Sequence, residues 1–250
     1  MVNIIEIDHL SHRFSDGSLG LSDIHLNIRK GSFVVLAGSN GSGKTTLLRH
    51  LNGLLLPSTG EVRIEGTPVL DDISGARQKV GMVFQDTDSQ IVGETVFEDI
   101  AFGPENLQLA REEINRRVVE VLELLGLSAR AEDRPHLLSG GQKRRLTIAG
   151  ILVMQPAILV FDEPFSNLDY PGIISVLRHI VGLHKQGHTI LLTTHDLEKV
   201  IAHADRLLIM EGGKIVRDDR PQKLFHDLEA FGVRQPCGSR MGGEVGSWLE

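Results

Sequence analysis

Eight consecutive residues, Gly38-Ser39-Asn40-Gly41-Ser42-Gly43-Lys44-Thr45, follow the pattern G-x-x-x-x-G-K-[ST]. Glycines at this spacing let backbone N–H groups turn inward around a β-phosphate. A helix starting at the end of the loop adds its partial positive charge, and Lys44 brings a full charge for β- and γ-phosphates. The Thr45 hydroxyl is suited to Mg²⁺, and Thr46 continues into the same helix. Such a cradle calls for a carboxylate at the end of a neighbouring strand. Ile158-Leu159-Val160-Phe161-Asp162 provides one after four apolar residues, with Glu163 directly behind it. Asp162 can hold Mg²⁺ through water, and Glu163 is placed to polarise a water that attacks the γ-phosphate. A second anion-binding segment is Leu138-Ser139-Gly140-Gly141-Gln142, a serine and two glycines opening a helix.

The elements that must position these groups can be read from the apolar pattern. Residues 4–10 and 24–28 read as strands with one buried face. Phe33–Ala37 is a short continuous apolar run, as expected of a strand buried on both sides, and it leads straight into the cradle. Thr45–Leu51 continues as a helix, and residues 61–65 and 80–84 are further strands. Between Arg111 and Leu125 the apolar positions Ile114, Val118, Val121, Leu122 and Leu125 share one helical face, with Gly126 as a stop. Ser139 is the expected N-cap of the next helix. Ala157–Phe161, Thr189–Thr193 and Leu207–Met210 read as strands and 173–184 as a helix. Strands alternating with helices after residue 30 imply a largely parallel α/β core, with 86–155 as a helix-rich insertion.

At this point the chain resembles an ABC ATPase, and the family's other motifs occur in order. Gln85 matches the Q-loop, Asn167-Leu168-Asp169 the D-loop, Thr194-His195-Asp196 the switch histidine, and Phe14 the aromatic that stacks on adenine. The resemblance covers roughly residues 3–225. It implies a P-loop cassette with a RecA-like parallel-sheet core, an N-terminal antiparallel β portion and a helical sub-domain near 86–155. The ATPase domain would span 1–233, and 234–250, rich in glycine and without periodicity, would be a mobile tail. It also implies ATP and Mg²⁺ as ligands. Gly38 to Thr46 would hold the phosphates, while Thr45, Gln85 and Asp162 surround Mg²⁺. Glu163, His195 and Gln85 would be catalytic, and Ser139, Gly140, Gly141 and Gln142 would complete the site of an opposing subunit. Each motif occurs once, so two chains must pair, as a homodimer or with a related ATPase. Three positions depart from the family pattern: Phe14 in place of the usual tyrosine, Phe165 after Glu-Pro, and Tyr170 before Pro171.

Composition limits what such an ATPase drives. The 250 residues are 41% hydrophobic, enough for a core without disulfide or metal staples, and 26 basic against 33 acidic residues leave a formal charge of −7. That balance, with only 9 Phe, 1 Tyr and 1 Trp, disfavours direct nucleic-acid binding. The single cysteine, Cys237, suits a reducing cytosol. No apolar run approaches the roughly 20 residues of a membrane helix. A soluble mechanical ATPase acting on DNA or ribosomes is the alternative, but the cradle-to-signature interval has no heptad run, and only one cassette is present. Glu98-Asp99-Ile100-Ala101-Phe102-Gly103-Pro104-Glu105-Asn106, with the 111–125 helix and Pro135-His136-Leu137, resembles the ATPase component of energy-coupling factor importers. That resemblance implies a peripheral subunit on the cytoplasmic face of the membrane. Its partners would be a transmembrane coupling protein and a substrate-binding membrane protein, for cobalt, nickel, biotin or another vitamin; other ABC importer or exporter classes are the alternative. Pairs such as His9/His12 and His184/His188 have metal-like spacing, yet ordinary surface or packing roles are the simpler expectation.

Overall fold

The computed structural model describes residues 2–249, so the two outermost residues of the expected domain and tail, 1 and 250, lie outside it. The chain opens with strands β1 (Asn3–Arg13) and β2 (Leu19–Arg29), then β3 (Phe33–Ala37) and helix α1 (Lys44–Leu51). Next come β4 (Thr59–Ile64), β5 (Thr67–Pro68), α2 (Ile73–Lys79) and β6 (Val80–Val83). Three helices follow, α3 (Val96–Asn106), α4 (Arg111–Leu124) and α5 (Gly140–Leu152). The last part runs β7 (Ile158–Asp162), α6 (Tyr170–Lys185), β8 (Thr189–Thr193), β9 (Arg206–Glu211), β10 (Lys214–Asp219), α7 (Pro221–Leu224) and α8 (Cys237–Arg240).

The strands form two sheets. One has the order β10-β9-β3-β8-β7-β6 and is parallel except for β10, which returns antiparallel to β9. The other, β2-β1-β4-β5, is antiparallel throughout. The α/β architecture expected from the strand–helix alternation is therefore present, with the antiparallel portion at the N-terminus. Side chains of β3 alternate between two cores. Val34 and Leu36 face the antiparallel sheet with Ile5, Leu26, Leu47 and Leu208, whereas Phe33, Val35 and Ala37 join the core beneath α3 to α6. Burial on both faces explains why β3, β7 and β8 are continuous apolar runs. It also fixes the loops at their C-terminal ends, where parallel α/β sheets place their sites.

Helices α3, α4 and α5 lie between β6 and β7, inside the expected insertion. A capping box starts α3: Thr95 Oγ1 accepts from Glu98 N, and Glu98 accepts from Thr95 N. In the first turn of α3 the buried Asp99 carboxylate accepts from the amides of Val92 and Gly93 at 2.7 and 2.9 Å, fixing the segment that approaches the helix.

The residues beyond 233, expected as a mobile tail, form α8 and lie on the helical side of the core. Cys237 N donates to Glu198 at 2.6 Å, Ser247 meets His203 at 3.0 Å, and Trp248 sits 5.7 Å from the Tyr170 ring. Val245, Trp248 and Leu249 make this contact. Three anchors in a polar, glycine-rich segment leave no periodicity to read.

Candidate active site

The cradle joins β3 to α1. Gly38, at φ +151°, approaches the backbone so closely that a Cβ would lie 2.2 Å from Met210 O on β9. Gly43, at φ +105°, forms the N-cap of α1, and a Cβ there would meet Gly20 O at 2.9 Å. Glycine is required at both positions by backbone angle and by space. Lys44 folds back over the loop, its Nζ donating to Gly38 O at 2.8 Å and Ser39 O at 3.0 Å. Burial pulls the lysine below its ordinary pKa, while the nearby charges of Glu163 and Asp162 act in the opposite direction. The Ser42 hydroxyl is buried in the loop without a hydrogen-bond partner among the described residues.

A chain of polar contacts runs from the cradle across three strand ends. Thr45 Oγ1 donates to Asp162 Oδ2 at 2.7 Å, and Thr193 Oγ1 donates to Asp162 Oδ1 at 2.6 Å. Thr193 Oγ1 in turn accepts from Glu163 N at 3.0 Å. Glu163 lies at φ +48° and its carboxylate accepts from His195 Nδ1 at 2.9 Å. Positive φ at a glutamate is uncommon and turns the chain sharply at the end of β7. The parallel registers Asp162↔Thr193 and Leu36↔Thr193 put the C-terminal ends of β3, β7 and β8 side by side, so residues far apart in sequence converge.

Gln85 follows β6 and, with Thr45 and Asp162, lines a cleft of about 890 Å³ that also includes Asn167 and Gly140. The Thr45 hydroxyl, the Asp162 carboxylate and the Gln85 amide are hard oxygen donors, the chemistry that suits Mg²⁺. Phe14, at the end of β1, packs against Gly20, where a Cβ would come within 2.7 Å of its ring and 3.3 Å of Thr46 Cγ2. The ring is 41% exposed, so a face remains open for stacking beside the cradle.

The second anion-binding segment is formed differently. Ser139 N-caps α5, and Ser139 and Gln142 close a capping box, with bonds of 2.8 Å from Ser139 N and 3.4 Å from Gln142 N. Ser139, Gly141 and Gln142 line a separate hollow of about 430 Å³ with Asp169. Asp169 caps α6 by accepting from Gly172 N at 3.0 Å. Pro171 and Tyr170 start that helix, and Phe165 is buried in the core, so the departures near 165–171 are absorbed locally. The structure thus brings Lys44, Thr45, Gln85, Asp162, Glu163 and His195 around one centre and places Ser139, Gly141, Gln142 and Asp169 around another.

Two residues of the site carried no local signal in the sequence. Thr193 ends an apolar strand, where a threonine has no motif of its own. Arg144 lies one turn into α5 and is 2% exposed. Its guanidinium donates to Phe84 O at 2.5 Å and Gln85 O at 2.8 Å, tying the second segment to the loop that carries Gln85. The neighbouring Lys143 adds an ion pair to Asp88 at 2.7 Å.

A family model described as ABC transporter matches residues 21–166, from β2 through the cradle, the second anion-binding segment and Glu163. The chain belongs to the ABC transporter family. This ABC ATPase is 44% identical over 231 residues to the energy-coupling factor transporter ATP-binding protein EcfA of Methanocaldococcus jannaschii, covering 91% of this chain and 83% of the relative. It is 46% identical over 244 residues to the cobalt import ATP-binding protein CbiO of Syntrophus aciditrophicus, covering 95% and 87%. Among solved structures it is similar to the ABC cassette MJ0796, a dimer in a post-hydrolysis state with ADP and Pi. That match is 28% identical with a TM-score of 0.77 and covers 86% of this chain and 98% of that one. This ABC ATPase is an enzyme that binds and hydrolyses ATP in the service of transport.

Proposed function

We propose that this ABC ATPase is the motor of an energy-coupling factor importer, working as one of two paired ATPase chains beneath a membrane partner. The observation that carries the catalytic reading is the continuous hydrogen-bonded chain Thr45–Asp162–Thr193–Glu163–His195 around a single cradle. Lys44 and the amides of residues 41–46 hold the β- and γ-phosphates of ATP. Glu163 orients and polarises the attacking water, and its buried carboxylate is aimed by the bond from His195. The imidazole of His195 lies where charge develops on the γ-phosphate. Phe14 stacks on the adenine. Mg²⁺, when bound, offsets phosphate charge, and Thr45, Asp162 and Gln85 are the residues that would hold it. Catalysis here is positioning and electrostatics.

Pairing is supported by the separation of the two centres. Ser139, Gly141 and Gln142 line a hollow with Asp169 that Lys44, Thr45, Asp162 and Glu163 do not line, while Gly140 between them borders both this hollow and the Thr45–Asp162 cleft. A second copy, or a related ATPase, would bring its signature turn to this cradle, giving two composite sites. The outer wall of the Gln85 cleft, formed by Arg49, Leu54 and residues 86–89 beyond its Thr45–Asp162 side, would receive a transmembrane coupling protein. Energy-coupling factor and cobalt-import relatives support import of a transition-metal ion or vitamin. Among the described residues no helix is long and apolar enough to cross a membrane, which agrees with a peripheral subunit.

Glu163→Gln tests the assignment. It keeps the size of the side chain, so ATP binding persists while turnover falls by orders of magnitude and a closed dimer accumulates. Nucleotide binding, phosphate release and size-exclusion chromatography read the three effects. A variant that turns over at the wild-type rate refutes the role of Glu163.

A further inference from the structure

Away from the ATP site, the outer face of the antiparallel sheet carries four polar side chains in an unusual arrangement. The β1–β2 register is Ile7↔Leu26 and then Leu10↔Ile24, with an irregularity between. His9 and Asp23 both adopt positive φ there, +51° and +52°. In a regular strand Asp8 and His9 would point to opposite faces. The double irregularity instead leaves Asp8, His9, Asp23 and His25 all exposed, while Ile7, Leu10, Ile24 and Leu26 stay buried. The His9–His12 spacing noted in the sequence is broken, because His12 is buried against His50, and His9 gains His25 as its neighbour.

Two neutral imidazoles bring two N–H donors to this cluster, and its two carboxylates only accept. Asp23 Oδ1 lies 2.7 Å from His9 Nδ1 and 3.3 Å from His25 Nε2. A carboxylate only accepts, so His9 directs its Nδ1–H to Asp23, while the N–H of His25 is within reach of Asp8 from Nδ1 and of Asp23 from Nε2. The lone pair of His9 then falls on Nε2, and that of His25 falls on Nδ1 when its Nε2–H faces Asp23. These nitrogens lie 4.0 and 3.2 Å from Asp8 Oδ1, which is also an acceptor. One ligand atom from each of Asp8, His9 and His25 comes within 4.8 Å of the other two. Asp23 stands behind both rings as the outer carboxylate that orients metal-bound imidazoles.

We propose that Asp8, His9 and His25 form a surface site for a divalent transition-metal ion, with Asp23 fixing the two imidazoles. Two imidazoles and one carboxylate favour Co²⁺, Ni²⁺, Cu²⁺ or Zn²⁺ over Mg²⁺ or Ca²⁺, and the exposed position leaves the remaining coordination places to water. An ion held there clips β1 to β2 at their shared irregularity. The competing occupant is a second proton on each ring, which would make the cluster an ordinary set of surface ion pairs.

Co²⁺ is the probe. Nucleotide-free protein is titrated with CoCl₂ and followed by calorimetry and by visible d–d absorption, comparing wild type, His9→Asn/His25→Asn and His226→Asn. Asparagine is chosen at position 9 because it tolerates positive φ, and His226 is an exposed histidine elsewhere. The site predicts that the double variant loses one bound Co²⁺ per chain while His226→Asn keeps it. Equal stoichiometry and affinity in wild type and the double variant overturns the proposal, as does an equal loss in His226→Asn. Should the double variant not fold, wild-type crystals soaked in CoCl₂ decide. An anomalous peak between His9 Nε2 and His25 Nδ1 supports the site, and no peak there overturns it.

Discussion

Arg144 offers a sharp test of how the second anion-binding segment and the Gln85 loop are held together. Arg144→Met keeps most of the aliphatic stem and removes the two bonds to Phe84 O and Gln85 O. Hydrogen bonds from a charged donor contribute about 1.5–3 kcal/mol each, so the pair is worth roughly 3–6 kcal/mol gross. Against this stands the desolvation of a buried guanidinium. Burial is the main cause that pulls Arg144 from the ordinary guanidinium range down to about 10, with Asp162 and Asp86 opposing it. That fall corresponds to roughly 3 kcal/mol that the methionine recovers. The expected net loss of stability is about 0–3 kcal/mol, read as a lower urea midpoint at unchanged slope. The two carbonyls left without a partner loosen the backbone on which Gln85 stands. Turnover should therefore fall about tenfold, the equivalent of some 1.4 kcal/mol in the barrier, while ATP affinity, set by the cradle, stays near wild type. A variant with wild-type midpoint and wild-type kcat would show that the contact between α5 and this loop is incidental.

Three further perturbations probe other parts of the site. Thr193→Val preserves shape but removes the hydroxyl that joins Asp162 to Glu163 N; a cost of about 1–3 kcal/mol should appear as a 10- to 100-fold loss of kcat, and an unchanged steady-state ATPase rate would exclude the role. Gly38→Ala forces a Cβ to 2.2 Å from Met210 O at φ +151°. It should lower the melting temperature and abolish binding of a fluorescent ATP analogue, whereas retained binding would mean that the loop can shift without loss. Burial holds the pKa of His50 below 6.5, an effect reinforced by His12 and opposed by the bonds to the Thr46 and Leu56 carbonyls. Because the folded value is the lower one, its contribution is complete above pH 6.5 and is lost as pH falls through the folded value. His50→Gln should flatten the decline of the urea midpoint between pH 7.5 and 5.5, and parallel declines in both proteins would contradict the assignment.

Much of this site was legible in the sequence because its chemistry is local. The cradle is one contiguous run, and β3, β7 and β8 announce themselves as apolar runs ending beside polar residues. What escaped notice depends on distant contacts or on broken patterns. Thr193 and Arg144 act on residues 31 and about 60 positions away, so no window of sequence shows them. Helix α3 carries Gly103 and Pro104 within it, which hides its periodicity. Strand β10 is half-exposed and charged because it is the sheet's antiparallel edge. Strand β1 reads as ending at residue 10 because the two adjacent exposed residues Asp8 and His9 interrupt its alternation.

The close approaches around the cradle bear on how freely such a loop can be transplanted. Gly38 is pressed against Met210 O, and Gly43 against Gly20 O. Gly213 donates to Ser42 O and accepts from Ser22 N. The loop is thus wedged between the β1–β2 hairpin and the β9–β10 hairpin, and its shape belongs to three stretches of chain at once. Grafting residues 38–45 onto another strand–helix junction would move the pattern but leave its buttresses behind. A functional graft would need a glycine at the position of Gly20 and a tight turn like Met210–Gly213 as well.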